Sequence, residues 1–174
     1  MPTLDRSGQA KDGINFIIGK TTANQPFVEV ETDILKGIPE ADRIKVVKEN
    51  LKKKFPNGVD LGRNTIMVDS QSRGEMTWSK YMQWAEFNDK GVYEDKLKAT
   101  NNSGEILQAA TDWVNEEPNH PRKDKIVEFA RGNVLLRIGP NDYSAEVLVG
   151  KKQNGKLLLY DIYQLVPTSF VKKR

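Results

Sequence analysis

The residues best suited to chemistry surround the single histidine of the chain, His120. It stands within Asn119-His120-Pro121-Arg122-Lys123-Asp124, and Arg131 follows eleven residues after it. Because imidazole titrates near neutral pH, His120 is able to act as a general acid or a general base. A hydroxyl-bearing segment, Pro167-Thr168-Ser169-Phe170, lies near the C-terminus. If the C-terminal strands fold back on one another, the chain brings an imidazole, guanidinium groups and a hydroxyl to one face.

These groups match what metal-independent RNA cleavage needs. The ribose 2′-OH attacks its own phosphate, so the protein supplies no nucleophile. A base accepts the 2′-OH proton, an acid protonates the leaving 5′-oxygen, and cations stabilise the charge that builds on the phosphate. His120 fills one proton-transfer role. The second falls to Lys80, a hydroxyl or a carboxylate, and the sequence does not choose among them.

The same residues also have structural interpretations. Arg122-Lys123 is typical of a solvated basic turn, and Thr168-Ser169 after a proline is typical of an ordinary turn. Arg131 stands in an apolar segment, where a guanidinium needs a partner, and an ion pair with Glu128 or another carboxylate satisfies it as well as a phosphate does.

Composition excludes several other site classes. The chain has 174 residues, 29% of them charged, and a net charge of +3, which permits nucleic-acid binding without requiring it. The absence of cysteine excludes disulfides, zinc–thiolate sites and thiol nucleophiles. No glycine-rich phosphate loop or calcium-loop spacing is present. We therefore expect neither a cofactor nor a metal, no membrane insertion, and no signal peptide.

Hydrophobic periodicity predicts an α+β fold, with helices packed on a C-terminal antiparallel sheet. Residues 1–25 are predicted to be a flexible leader or linker, and residues 26–174 a single domain. Asn154-Gly155 predicts a hairpin with a type I′ turn. The predicted helices cover residues 39–55, 74–87 and 103–117, and the predicted strands cover residues 27–31, 64–68, 126–129, 134–138, 143–149 and 157–162.

The motifs around the histidine resemble a phage-associated, polymorphic-toxin domain. They are Asn119–Asp124, Phe129-Ala130-Arg131-Gly132-Asn133-Val134-Leu135-Leu136-Arg137, Asp142-Tyr143, Leu159-Tyr160-Asp161 and Pro167–Phe170. The resemblance covers residues 26 to about 172 and includes Arg73–Thr77 and Tyr81–Trp84. The domain is identified as a member of the barnase–EndoU–colicin–RelE-like nuclease superfamily, found on phage head-morphogenesis proteins and contact-dependent growth inhibition toxins.

This resemblance implies helices packed on an antiparallel sheet and ribonuclease activity, with tRNA as one candidate substrate. A histidine before the sheet, an arginine in its first long strand and a threonine near its last strand line the site in related toxins, which corresponds to His120, Arg131 and Thr168. The full predicted set has catalytic residues His120, Arg131, Thr168, Arg122 and Lys80, and substrate-binding residues Lys123, Phe170, Ser169 and Tyr143.

Two functions therefore stand as hypotheses. The first is a toxin ribonuclease with a cognate immunity protein and a larger carrier, acting in the cytoplasm of a producing or target bacterium after delivery by phage or secretion. The second is a non-catalytic, phage-associated module that binds nucleic acid or a protein partner, because a shared fold does not fix a shared function.

Overall fold

The computed structural model describes residues 18–20, 26–118 and 125–169. Its helices and strands, in chain order, are β1 (Ile18–Lys20), β2 (Pro26–Val30), α1 (Arg43–Lys54), β3 (Val59–Asp60), β4 (Thr65–Ile66), α2 (Ser70–Trp78), α3 (Lys80–Asn88), α4 (Lys90–Asn101), α5 (Ser103–Ala109), β5 (Thr111–Glu116), β6 (Ile126–Ile138), β7 (Asn141–Lys152) and β8 (Leu157–Pro167).

The main sheet is mostly antiparallel and is built around the long strand β6. Its strand order is β1-β2-β6-β7-β8, and β5 pairs with the first half of β6. Strand β2 runs parallel to the last residues of β6, from Leu136 to Ile138. The predicted α+β class is confirmed, and three residues of the predicted leader, Ile18–Lys20, belong to the sheet.

Strict alternation gives the sheet two chemically different faces. From Ala130 to Ile138, even-numbered residues of β6 are buried and odd-numbered residues are partly or fully exposed. The buried residues point to the inner face, which packs against the helices. The outer face carries Arg131 and Asn133, together with Ser144 and Glu146 of β7, because paired residues on neighbouring strands share a face.

The helical predictions are correct in part. The helix predicted from Pro39 to Phe55 is confirmed as α1, preceded by a 3₁₀ turn. The helix predicted over residues 74–87 is wrong as a single element, because Ser79 ends α2 and caps α3 by accepting a hydrogen bond from the Met82 N–H. Helix α4 was not predicted. The apolar periodicity that marks a buried helix face is weak in this segment, because the buried residues include Asp95, Lys96 and Asn101, which have polar partners.

The helix predicted from Ser103 to Val114 and beyond is wrong after Ala109. Residues Thr111–Glu116 form β5 and alternate between partly buried and exposed positions along the strand. Their threonine, tryptophan and valine side chains favour strands, and pairing with β6 satisfies their backbone groups. Trp113 lies across Gly132, where a Cβ atom would stand 2.8 Å from its indole ring. The absence of a side chain at Gly132 thus lets the ring pack flat on the sheet.

The predicted hairpin at Asn154-Gly155 is confirmed, but its turn is not type I′. Gly155 has a φ of 89°, whereas Asn154 is not among the described residues with a positive φ. The Gly155 N–H donates to the Lys152 carbonyl, and the Lys152 N–H donates to the Lys156 carbonyl, both at 2.9 Å. This is the three-residue loop in which a glycine forms the bulge after a type I turn.

Candidate functional site on the outer face of the sheet

Four of the predicted site residues lie outside the described residues. They are His120, Arg122, Lys123 and Phe170. The remaining five, Arg131, Thr168, Ser169, Lys80 and Tyr143, have defined positions.

Arg131 lies on the outer face and is held by two carboxylates. Its Nη1 donates to Glu146 Oε1 at 2.7 Å, and its Nη2 donates to Glu116 Oε1 at 2.6 Å. Partial burial disfavours the charged guanidinium, but the two carboxylates outweigh burial, so the pKa of Arg131 lies above its ordinary value. The ion pair weighed at the sequence level is therefore present, with Glu116 and Glu146 as partners.

An aromatic ring further restricts the guanidinium. The Arg131 Cζ atom lies 5.7 Å from the centre of the Tyr163 ring, a cation–π distance. The ring centres of Tyr163 and Tyr81 are 6.4 Å apart, and Tyr81 stacks on Trp84 with ring centres 5.9 Å apart. The Tyr81 hydroxyl oxygen accepts the Leu165 N–H at 3.1 Å and so fixes α3 to β8. Arg131 is consequently a pre-positioned cation rather than a mobile surface side chain.

A groove of about 600 Å³, here called the sheet groove, opens beside Glu146 on the outer face. Its polar residues come from four strands, β5 to β8: Thr111, Asp112, Asn133, Ser144, Glu146 and Gln164. Its apolar surface includes Leu135 and the half-exposed Val166. The groove thus combines apolar walls with several hydrogen-bonding side chains, the composition of many small-molecule sites.

The sheet groove carries uncommitted polar groups. The side chains of Asp112, Asn133, Ser144 and Gln164 have no hydrogen-bond or ion-pair partner in the part of the chain that the structure describes. Asp112 and Gln164 also have left-handed backbone, with φ of 58° and 43°. Register shifts lie at both places, between Thr111 and Val114 of β5 and opposite Ser144 and Glu146 of β7. Such irregularities redirect side chains and often border functional sites.

Thr168 and Ser169 do not lie beside Arg131. The Thr168 N–H donates to the Asp142 carbonyl at 2.9 Å, at the start of β7. Arg131 pairs with Leu148, six residues further along that strand and hence about 20 Å away. Strands β6 and β8 both run antiparallel to β7 and so run in the same direction, which places the end of β8 near the end of β6. The basic neighbour at that end is Arg137, which forms an ion pair with Asp142.

Lys80 and Tyr143 also lie apart from Arg131. Lys80 is the exposed first residue of α3. Tyr143 lies on the inner face, where its hydroxyl donates to Asp95 Oδ2 at 2.5 Å. Burial, and then this hydrogen bond to a carboxylate, raise the pKa of Tyr143 above its ordinary value. Tyr143 is a core residue, and as placed it offers no surface to a substrate.

Sequence reasoning missed Glu116, Glu146 and Tyr163. Glu146 could have been found from the turn at Gly139-Pro140. Counting residue pairs along β6 and β7 away from this turn places Arg131 opposite Leu148, and Glu146 is then the diagonal neighbour of Arg131. Glu116 had no such signal because its segment was predicted to be helical. The position of Tyr163 opposite Glu146 could not be predicted, because it depends on an irregular register between β7 and β8.

No family model, curated protein or solved structure matches the chain. Among the described residues, no group of three or more histidine, aspartate or glutamate side chains is placed to hold a metal ion. The described helices include none that is long and apolar enough to cross a membrane.

Proposed function

We propose that the protein is a metal-independent endoribonuclease whose reaction takes place on the outer face of the sheet. The observation that carries this proposal is the placement of Arg131 between Glu146 and Glu116, at 2.7 and 2.6 Å, beside an open groove. This arrangement supplies a carboxylate for the second proton-transfer role, and it sets a cation directly beside that carboxylate.

In the proposed reaction, Glu146 is the general base. Its carboxylate accepts the 2′-OH proton as the 2′-oxygen forms a bond to phosphorus, and the bond from phosphorus to the 5′-oxygen breaks. The His120 imidazolium donates a proton to that leaving oxygen. The products are a 2′,3′-cyclic phosphate and a free 5′-hydroxyl. Arg131 stabilises the added negative charge on the phosphate as Glu146 becomes neutral.

Position distinguishes the two glutamates. Glu146 belongs to β7, which lies between β6 and β8, and it lines the sheet groove. Glu116 belongs to β5, lies outside the groove lining, and is the more exposed of the two. We therefore assign Glu116 a positioning role, in which it holds the second guanidinium nitrogen and orients Arg131.

Covalent connection favours His120 as the partner acid. His120 follows Glu116 by four positions, a span of at most about 14 Å along an extended chain. The α+β class agrees with what the barnase–EndoU–colicin–RelE-like resemblance implies, although here β1 and β2 precede the helices and β2 pairs with β6 in parallel. That resemblance leads us to expect RNA as substrate, a cognate immunity protein and a larger carrier.

One observation favours a binding module instead. Both terminal nitrogens of Arg131 already have carboxylate partners, so a phosphate must compete with Glu116 and Glu146 for them. A protein that only binds a polar ligand in the sheet groove needs no such exchange. If this second function is correct, His120→Ala and Glu146→Gln leave the cellular effect of the protein unchanged, because no proton transfer takes place.

The test is RNA cleavage in EDTA by the parent chain, Glu146→Gln, His120→Ala and, as a matched control on an exposed helix face, Glu49→Gln. Proton-transfer groups contribute about 10²- to 10⁴-fold to rates. We expect losses in that range for the first two variants and no loss for the control. Intact RNA with every variant, the parent included, overturns the ribonuclease proposal. Full activity of Glu146→Gln overturns the assignment of the base.

A further inference from the structure

The sheet groove offers more hydrogen-bonding groups than the proposed cleavage chemistry uses. Cleavage requires Glu146 and Arg131 beside it, whereas Asp112, Asn133 and Gln164 have no described partner and no role in proton transfer. Asn133 and Gln164 each present an amide that donates and accepts. Asp112, when ionised, only accepts. A ligand with an N–H donor and further hydrogen-bonding groups along one edge would satisfy these side chains.

The apolar part of the groove restricts the shape of that ligand. Leu135 of β6 and Val166 of β8 supply aliphatic surface to the groove. A volume of about 600 Å³ lies within the range of small-molecule sites. A flat ring with apolar faces and a polar edge satisfies both kinds of surface, because its faces contact aliphatic carbons while its edge forms hydrogen bonds.

We propose that the sheet groove binds a nucleobase that carries an exocyclic amino group. This inference rests on the proposed function, since it places the base beside the ribose whose 2′-OH faces Glu146. Asp112 accepts an N–H bond from the amino group, and the amides of Asn133 and Gln164 pair with the remaining edge. Uracil carries a carbonyl where cytosine carries the amino group, so it directs an oxygen at the Asp112 carboxylate.

Cytidine and uridine form the matched pair of ligands for the test, since they differ at that one ring position. Each nucleoside, which has no phosphate, is titrated into the ¹⁵N-labelled full chain, and the side-chain amide resonances of Asn133 and Gln164 are followed. We expect cytidine to shift these resonances with a dissociation constant about tenfold below that of uridine, the value of one charge-assisted hydrogen bond.

Substitution at Asp112 then tests the source of the preference. Asp112→Asn removes the charge and keeps a residue that tolerates left-handed backbone, and we expect the preference for cytidine to fall to about twofold or less. Asp33→Asn removes a charge from an exposed aspartate outside the groove and should leave the preference unchanged.

The outcomes separate this inference from the proposed function. Equal binding of the two nucleosides, absence of binding at millimolar concentration, or shifts confined to other residues overturns the inference, even when RNA is cleaved with dependence on Glu146. If the protein binds cytidine selectively but leaves RNA intact, the groove assignment is supported and the ribonuclease proposal is overturned. A preference that survives Asp112→Asn overturns the role given to Asp112.

Discussion

The buried ion pair between Lys96 and Asp161 provides a sharp test of how the sheet is attached to the helices. Lys96 is fully buried in α4, and its Nζ donates to Asp161 Oδ1 on β8 at 2.8 Å. The same nitrogen donates to the Met76 carbonyl at 3.1 Å and to the Thr100 hydroxyl at 3.5 Å. All three ammonium protons therefore have acceptors, which is the condition for keeping the charge in a core.

Lys96→Met keeps the length of the side chain and removes its charge, which leaves the Asp161 carboxylate buried without a cation, with only its hydrogen bonds from Ser79 and the Ile162 N–H. Removing one member of a buried pair costs about 3–5 kcal/mol of the free energy of unfolding. For a domain of this size each kcal/mol lowers Tm by about 2–4 °C, so we expect a decrease of about 6–20 °C. Lys96→Met/Asp161→Asn removes both charges and should recover at least half of that loss.

The pH dependence has a defined sign. Burial raises the pKa of Asp161 above its ordinary value, and Lys96 opposes that rise. Without Lys96 the folded pKa rises further above the unfolded value of about 3.9, so stability falls as pH increases between those two values. Lys96→Met should therefore be less destabilised near pH 4.5 than at pH 7, and the double variant should lack this difference.

Urea unfolding at both pH values, followed by circular dichroism, measures these free energies. The reasoning is refuted if Lys96→Met loses less than about 1 kcal/mol, or if its loss is the same at pH 4.5 and 7. It is also refuted if the double variant is destabilised by the sum of the two single substitutions, because independent sites add and a coupled pair does not.

Further expectations concern packing and hydrogen bonding, and urea unfolding measures each of them. Gly104→Ala should cost about 1–3 kcal/mol, because its Cβ would stand 2.3 Å from the Phe55 ring. Gly74→Ala, the matched control in α2 with nothing within 4 Å, should stabilise by about 0.5–1 kcal/mol, and equal effects would contradict the packing. Tyr143→Phe should cost about 2 kcal/mol through the lost hydrogen bond to Asp95, and a neutral substitution would argue against that bond.

Elements with a local signal could be predicted from the amino-acid sequence. The spacing of apolar residues located α1, and alternation located the meander from Ile126 onwards. The two strands predicted at residues 126–129 and 134–138 are, however, one continuous strand, β6. Asn154-Gly155 located the hairpin, because glycine readily adopts the left-handed backbone that Gly155 has in this turn. Composition also excluded disulfides and thiol chemistry, since the chain has no cysteine. Each of these conclusions depends only on neighbouring residues or on counts.

Tertiary structure alone decided where the strands lie relative to one another, and therefore which groups meet. Arg131 has a carboxylate partner fifteen residues before it and another fifteen residues after it. Thr168, which the resemblance placed with Arg131, lies at the opposite end of the sheet. Strand register accounts for this difference, because pairing between distant segments fixes it and a shift of one residue moves a side chain to the other face. Local periodicity contains no information about that choice, and for the same reason β5 was mistaken for the end of a helix.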